Sequence, residues 1–168
     1  MALSRALRAR LRKLRIVVMD VDGVLTDGGM YYSERGEDLK KFNTKDGQGI
    51  QLLQQAGIRT ALVTGETTAI VARRAAKLRI EDVYQGAVDK LSVVKALLEK
   101  QGVRPDEACY IGDDLSDLEP MKFVGTAFAV ADATRAIKRV AHYVTRRPGG
   151  EGAVREVCDM ILSSRQAR

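Results

Sequence analysis

Apolar positions along the chain alternate between two patterns, short continuous runs and longer stretches with helical spacing. Ile16-Val-Val-Met19 is an unbroken apolar run closed by the carboxylate of Asp20, the pattern of a buried strand. Further strand-like runs cover 60–64, 83–84, 108–111, 127–130 and 143–144. Helical spacing fills the intervals at 67–78, 90–100, 118–124, 134–140 and 153–162, and Gly102 with Pro105 closes the second of these helices. Repeated βα units of this length predict an α/β fold, a Rossmann-like open and mostly parallel sheet with helices on both faces. One segment breaks the rhythm. Residues 30–33 and 39–43 read as a β-hairpin with Gly36 in its turn, a flap at about 29–43 directly after the first strand. Without repeats, linkers or low-complexity tracts, residues 16–168 are expected to form a single domain.

Ahead of it, Leu3, Leu7, Leu11 and Leu14 make one apolar stripe, so 1–15 reads as a basic amphipathic helix. Charge sharpens this division. The chain of 168 residues carries a net charge of +6, and residues 1–15 supply six basic side chains and no acid. The other 153 residues balance 22 basic against 22 acidic side chains. The basic excess therefore describes one short helix, expected to pack on the domain or a neighbouring subunit. A nucleic-acid partner loses its main support. Aromatic residues at 5%, with no Trp, leave little for base stacking. No apolar run approaches the ~18 residues of a membrane span, and no signal peptide is expected ahead of the first strand. Cys109 and Cys158 have 48 residues between them and no ligand spacing, so buried thiols in a reducing cytoplasm are expected.

Candidate chemistry collects at strand ends. Asp20 and Asp22 close the first strand, Thr64 and Gly65 the second, and Asp113 and Asp114 the fourth, with Asp117 one turn on. Ligands of open parallel sheets bind outside the carboxyl ends of the strands, so these groups should converge on one crevice. Clustered acids repel unless a cation sits among them, and oxygen ligands without His or Cys favour Mg²⁺. Asp20, Asp22 and Asp113 are the candidate ligands, with Asp114 and Asp117 behind them or holding a metal-bound water. Thr64 and the N–H groups at Gly65 can hold a phosphate. Lys90 heads a helix whose positive end can point the same way. This set suits phosphoryl transfer. Asp20 can attack phosphorus, and Asp22 can protonate the departing alkoxide and then deprotonate the hydrolytic water. A signalling receiver domain also combines Asp, Thr and Lys around Mg²⁺, but it places its acidic pair first and its phosphoacceptor third. The order here is reversed. His142 lies far from these motifs, and a structural role is expected of it.

Asp20-x-Asp-Gly-Val-x-Thr-Asp-Gly28, Thr64, Lys90 and Gly112-Asp-Asp-x-x-Asp117 resemble, in order, the four motifs of haloacid dehalogenase-type phosphatases. Lys41-Phe-Asn-Thr-Lys-Asp-Gly47, Tyr84-Gln-Gly86 and residues 145–156 extend the likeness to the capless branch acting on 2-keto-3-deoxy sugar acids. The resemblance spans about residues 14 to 162. It implies a Mg²⁺-dependent phosphomonoesterase working through an aspartyl phosphate. The first expected substrate is 3-deoxy-D-manno-octulosonate (Kdo) 8-phosphate, and the alternative is a nonulosonate (sialic-acid-type) 9-phosphate. It also implies a homotetramer whose hairpin covers a neighbouring active site, with substrate contacts at Asn43, Thr44, Lys45, Asp46, Gly47, Arg74 and Lys90. Spacing agrees with the capless form: 41 residues between Asp22 and Thr64, and 25 between Thr64 and Lys90, leave no room for a lid domain. The chain departs from the family pattern in reading Gly65-Glu66 where Gly-Arg is usual, and Gln51 where a second arginine is usual. Glu66 with Lys77 resembles the nonulosonate-type relatives, and a surface ion pair between them accounts for the two residues equally well.

Overall fold

The computed structural model describes residues 4–166. The chain runs through α1 (Arg5–Lys13), β1 (Ile16–Met19), a hairpin of β2 (Tyr31–Ser33) and β3 (Gly36–Leu39), α2 (Thr44–Gln55), β4 (Arg59–Val63), α3 (Ala69–Lys77), β5 (Asp82–Tyr84) and α4 (Lys90–Gln101). It continues with β6 (Ala108–Gly112), α5 (Leu118–Phe123), β7 (Thr126–Ala129), α6 (Arg135–Val140), β8 (Tyr143–Val144) and α7 (Ala153–Gln166). Six strands form one sheet in the order β5-β4-β1-β6-β7-β8, and every neighbouring pair is parallel. Helix α2 packs on α7 and α7 on α1, while α4 packs on α5 and α5 on α6, giving one helical layer for each face of the sheet.

Strand β1 is central, and all four of its residues are fully buried. Burying each such side chain contributes about 1.5–3 kcal/mol, and the apolar run therefore fixes this segment between both helical layers. Met19 pairs with Leu62 of β4 on one side and Ile111 of β6 on the other. The chain leaves β1 toward β4 on one side and later returns to β6 on the other, so the order in which strands are added reverses at β1. Residues just past β1, β4 and β6 therefore share one edge at the crevice where such sheets bind ligands.

The hairpin stands apart as its own two-stranded sheet. Its second strand covers Gly36–Leu39, earlier than the 39–43 expected from the sequence. Phe42 instead pairs with Thr26 in an isolated bridge, and the Asn43 side chain accepts from Lys45 N to cap α2. Residues 40–43 are thus committed to entering the helix. Leu7, Leu11 and Leu14 join the same hydrophobic core as the sheet, and Leu3 lies outside the described residues. Three arginines of this segment donate to backbone carbonyls: Arg10 to Gly125, Arg12 to Ser164 and Arg15 to Gly102. The last sits at the carboxyl end of α4, where the helix dipole favours a cation. Cys109 and Cys158 are buried free thiols, and no helix among the described residues is long and apolar enough to cross a membrane.

Candidate active site

The apolar run of β1 delivers Asp20 to the sheet edge at 6% exposure, its backbone N–H donating to Ile111 O at 3.1 Å. Asp89 caps α4 through Ser92 N, which fixes Lys90 as the first residue of that helix. Lys90 Nζ donates to Asp20 Oδ2 at 2.6 Å and to Asp117 Oδ1 at 2.8 Å, and all three side chains are nearly sealed from solvent. Asp117 also accepts from Tyr110 Oη at 2.8 Å and from the Asp113 backbone N–H at 2.9 Å.

Oxygens of Asp20, Asp113 and Asp117 lie within 4.8 Å of one another. Burial, reinforced by the Asp117 charge, pushes Asp20 up to about 7, although the Lys90 ammonium opposes the shift. Burial together with Asp20 and Asp117 pushes Asp113 up to about 8. Burial disfavours the charged form of Lys90 as well, but Asp20 and Asp117 outweigh it and hold that pKa above its ordinary value. One ammonium among three carboxylates leaves excess negative charge. Asp113 Oδ1 is moreover buried without a hydrogen-bond partner, a costly condition unless a cation or ligand meets it. The backbone is cut to fit this acid: Gly23 has φ +82°, and a Cβ there would come within 2.1 Å of Asp113 Oδ2. The donor set and the unpartnered oxygen fit a hard divalent cation.

The structure places the expected metal ligands in different surroundings. The carboxylates brought together are Asp20, Asp113 and Asp117, whereas Asp22 Oδ1 is held by Lys40 Nζ at 2.6 Å. Asp117 has both oxygens taken by the donors named above, and so orients Lys90 and Asp113. Asp114 is exposed and caps the short turn at Leu115–Asp117. Thr64 is buried at the end of β4, and its hydroxyl accepts from Glu66 N at 3.4 Å. Asp20, Asp22, Thr64, Gly65, Glu66 and Lys90 line one crevice of about 280 Å³.

The remaining substrate candidates do not line that crevice. Asp46 is buried, accepting from Gly152 N at 3.3 Å and Arg155 N at 2.7 Å, and so ties α2 to the start of α7. Gly47 lies against Arg74, whose guanidinium donates to Asn43 O at 3.1 Å and covers the Phe42 ring. Asn43 donates to Gly150 O at 3.2 Å. Thr44 and Lys45 are exposed at the head of α2, and Lys77 lies in the last turn of α3, with no ion pair to Glu66. Lys45 lines a larger cavity of about 1010 Å³ with Arg146, Arg147 and Arg155, and none of Asp20, Asp22, Asp113 and Asp117 lines it. The catalytic candidates Asp20, Asp22, Thr64 and Lys90 converge on the smaller crevice. His142 accepts a hydrogen bond from Ala127 N at 3.0 Å, far from the crevice. Sequence reasoning missed Tyr110 and Lys40. Tyr110 is a phenol inside an otherwise apolar strand. For Lys40, the hint was its charge complementarity with Glu37 three residues earlier.

Comparison with known proteins places these features in a family. Residues 74–156 match the family of haloacid dehalogenase-like hydrolases. The chain is similar to the 3-deoxy-D-manno-octulosonate 8-phosphate phosphatase of Escherichia coli strain K12, 46% identical over 154 residues covering 92% of this chain and 82% of that protein. The Yersinia pestis phosphatase of the same name is 46% identical over 153 residues, covering 91% and 82%. The crystal structure of the phosphatase from Moraxella catarrhalis in complex with magnesium ion, phosphate ion and KDO superposes with a TM-score of 0.95 at 38% identity, covering 98% of this chain and 94% of that one. The cobalt-bound enzyme from Haemophilus influenzae gives 0.92 at 40% identity, covering 94% and 92%. The chain belongs to the 3-deoxy-D-manno-octulosonate 8-phosphate phosphatase branch of the haloacid dehalogenase-like hydrolases.

Proposed function

We propose that this protein is a Mg²⁺-dependent phosphomonoesterase that hydrolyses Kdo 8-phosphate to Kdo and phosphate. The observation that carries the reading is the Asp20–Lys90–Asp117 cluster, closed by Asp113, at the end of the central strand of a chain 46% identical to enzymes of that name. Asp20 and Asp113 would hold Mg²⁺. When bound, it supplies positive charge that offsets the acids and the phosphate oxygens.

Asp20 attacks phosphorus as the ester P–O bond breaks, forming an aspartyl phosphate. Asp22 gives its proton to the leaving sugar oxygen, then takes one from the water that attacks the intermediate, restoring Asp20 and releasing phosphate. Lys90 holds Asp20 in place, and its charge favours the ionised nucleophile. Asp117, gripped by Tyr110, keeps Lys90 and Asp113 from swinging away. The Thr64 hydroxyl and the N–H groups at Gly65 and Glu66 face the transferring phosphoryl group.

A homotetramer is part of this proposal. Tyr31, Tyr32 and Leu39 of the hairpin and Met30 beside it are exposed apolar residues, as are Val88 and Leu115 close to the crevice. Apolar surface concentrated on a projecting hairpin suits burial against a second copy, which would also exclude water from an uncovered crevice. A cytoplasmic location follows from the buried free thiols and the phosphorylated substrate. One observation favours a nonulosonate 9-phosphate as second reading: Glu66 occupies the crevice where an arginine would grip the carboxylate of Kdo. A Mg²⁺-dependent phosphate-release assay on Kdo 8-phosphate, a nonulosonate 9-phosphate and a hexose phosphate decides. The expected order has Kdo 8-phosphate first and the hexose phosphate last, and equal rates on all three would reject sugar-acid specificity.

A further inference from the structure

The hairpin root reaches into the crevice through one side chain. Lys40, just past β3, has a fully buried side chain whose ammonium donates to Asp22 Oδ1 at 2.6 Å and pairs with Glu37 Oε1 of β3 at 2.7 Å. The other oxygen of Asp22, Oδ2, is buried and has no hydrogen-bond partner. Burying a lysine is expensive, and a surface link between hairpin and domain would not require it. The two Asp22 oxygens are therefore unequal: Oδ1 is saturated by a cation that can only donate, and Oδ2 is left without a donor.

We propose that Lys40, braced by Glu37, is a positioning residue that anchors Asp22 through Oδ1 and reserves Oδ2 for proton exchange with the leaving sugar oxygen. The inference rests on the assignment of Asp22 as general acid. In the step concerned, the bond from Asp20 to phosphorus forms, the ester P–O bond breaks, and the proton on Asp22 Oδ2 passes to the departing oxygen. Because Lys40 and Glu37 belong to the hairpin, whatever settles the hairpin also settles the acid.

The test compares release of the leaving group, Kdo or p-nitrophenolate, from two esters in single turnover with Mg²⁺ and the full chain, so that the later attack of water on the aspartyl phosphate, common to both, does not enter. The leaving group of Kdo 8-phosphate is a basic alkoxide that needs a proton, and that of p-nitrophenyl phosphate is a stable phenolate that does not. Lys40→Met is expected to slow the alkyl ester roughly 10²-fold, the cost of misplacing a reacting group by about an ångström, and the aryl ester less than about threefold. The selective loss should be absent when Lys40→Met is added to Asp22→Asn, and Lys40→Arg should restore part of the rate. Glu37→Gln keeps the lysine and should show the same selectivity at smaller size, so the question is answered even if Lys40→Met does not fold. Equal losses on both esters, or no loss in Lys40→Met and Glu37→Gln, would overturn the role of Lys40. If Asp22→Asn itself slows both esters alike, the general-acid assignment fails instead, and the role of Lys40 falls with it.

Discussion

Replacing Lys90 by Met tests the electrostatic design of the crevice. Its ammonium lies 2.6 Å from Asp20 and 2.8 Å from Asp117, and the three side chains are at most 9% exposed. Removing it leaves two buried carboxylates without their shared cation. Breaking a buried pair in this way costs about 3–5 kcal/mol. For a chain of this size each kcal/mol lowers the melting temperature by about 2–4 °C, so a fall of about 6–20 °C is expected in EDTA. Mg²⁺ should recover part of it, because a cation between Asp20 and Asp113 offsets the same charges. Lys90 is also the group that restrains the rise of Asp20. Without it the Asp20 carboxyl is pushed further up, less of the nucleophile is ionised at a given pH, and the rate maximum moves to higher pH. Loss of one such electrostatic donor lowers kcat about 10²–10³-fold. Thermal melts with EDTA and with Mg²⁺, alongside kcat from pH 6 to 9, measure these effects. A variant melting within about 2 °C of the parent in EDTA, as a neutral surface change would, would refute the reasoning.

Asp20 and Asp113 bind protons more tightly in the fold, at about 7 and 8, than an ordinary aspartate at 3.8. The metal-free protein should therefore lose stability as pH rises from about 4 to 8. Stabilisation by Mg²⁺ in thermal melts should accordingly be larger at pH 8 than at pH 5, and a larger shift at pH 5 would contradict it. A Cβ on Gly149 would sit 1.8 Å from Gly23 O. Gly149→Ala should thus push the 145–152 loop off the catalytic loop, costing about 1–3 kcal/mol and lowering kcat more than KM, as melts and steady-state kinetics would record. Asp46→Ala removes the acceptor of two backbone N–H groups at the start of α7. A stability loss of about 1–2 kcal/mol with little change in KM is expected, and a KM rise above about tenfold would return Asp46 to the substrate contacts.

The fold was legible because β1 is fully buried and its neighbours are parallel, so continuous apolar runs separated by helical spacing had one sensible arrangement. The meeting of Asp20, Thr64 and Asp113 was legible for the same reason, since strand ends in such a sheet converge, and Lys90 was legible as the head of a helix. Residues 36–43 were read less well. Local alternation does not reveal that Phe42 pairs with Thr26 or that Asn43 caps a helix. The side-chain partners of Asp22 and Asp117 were not legible, because Lys40 and Tyr110 are brought to them by tertiary packing. Asp46 and Arg74 turned out to brace α2, α3 and α7 to one another, work that a motif match cannot separate from substrate contact.

The central claim is that Asp20 is the phosphoryl acceptor. Single-turnover phosphate release from Kdo 8-phosphate by Asp20→Asn with saturating Mg²⁺ tests it most directly, with circular dichroism confirming the fold. No release above the uncatalysed background is expected. Release at a measurable fraction of the parent rate would contradict it.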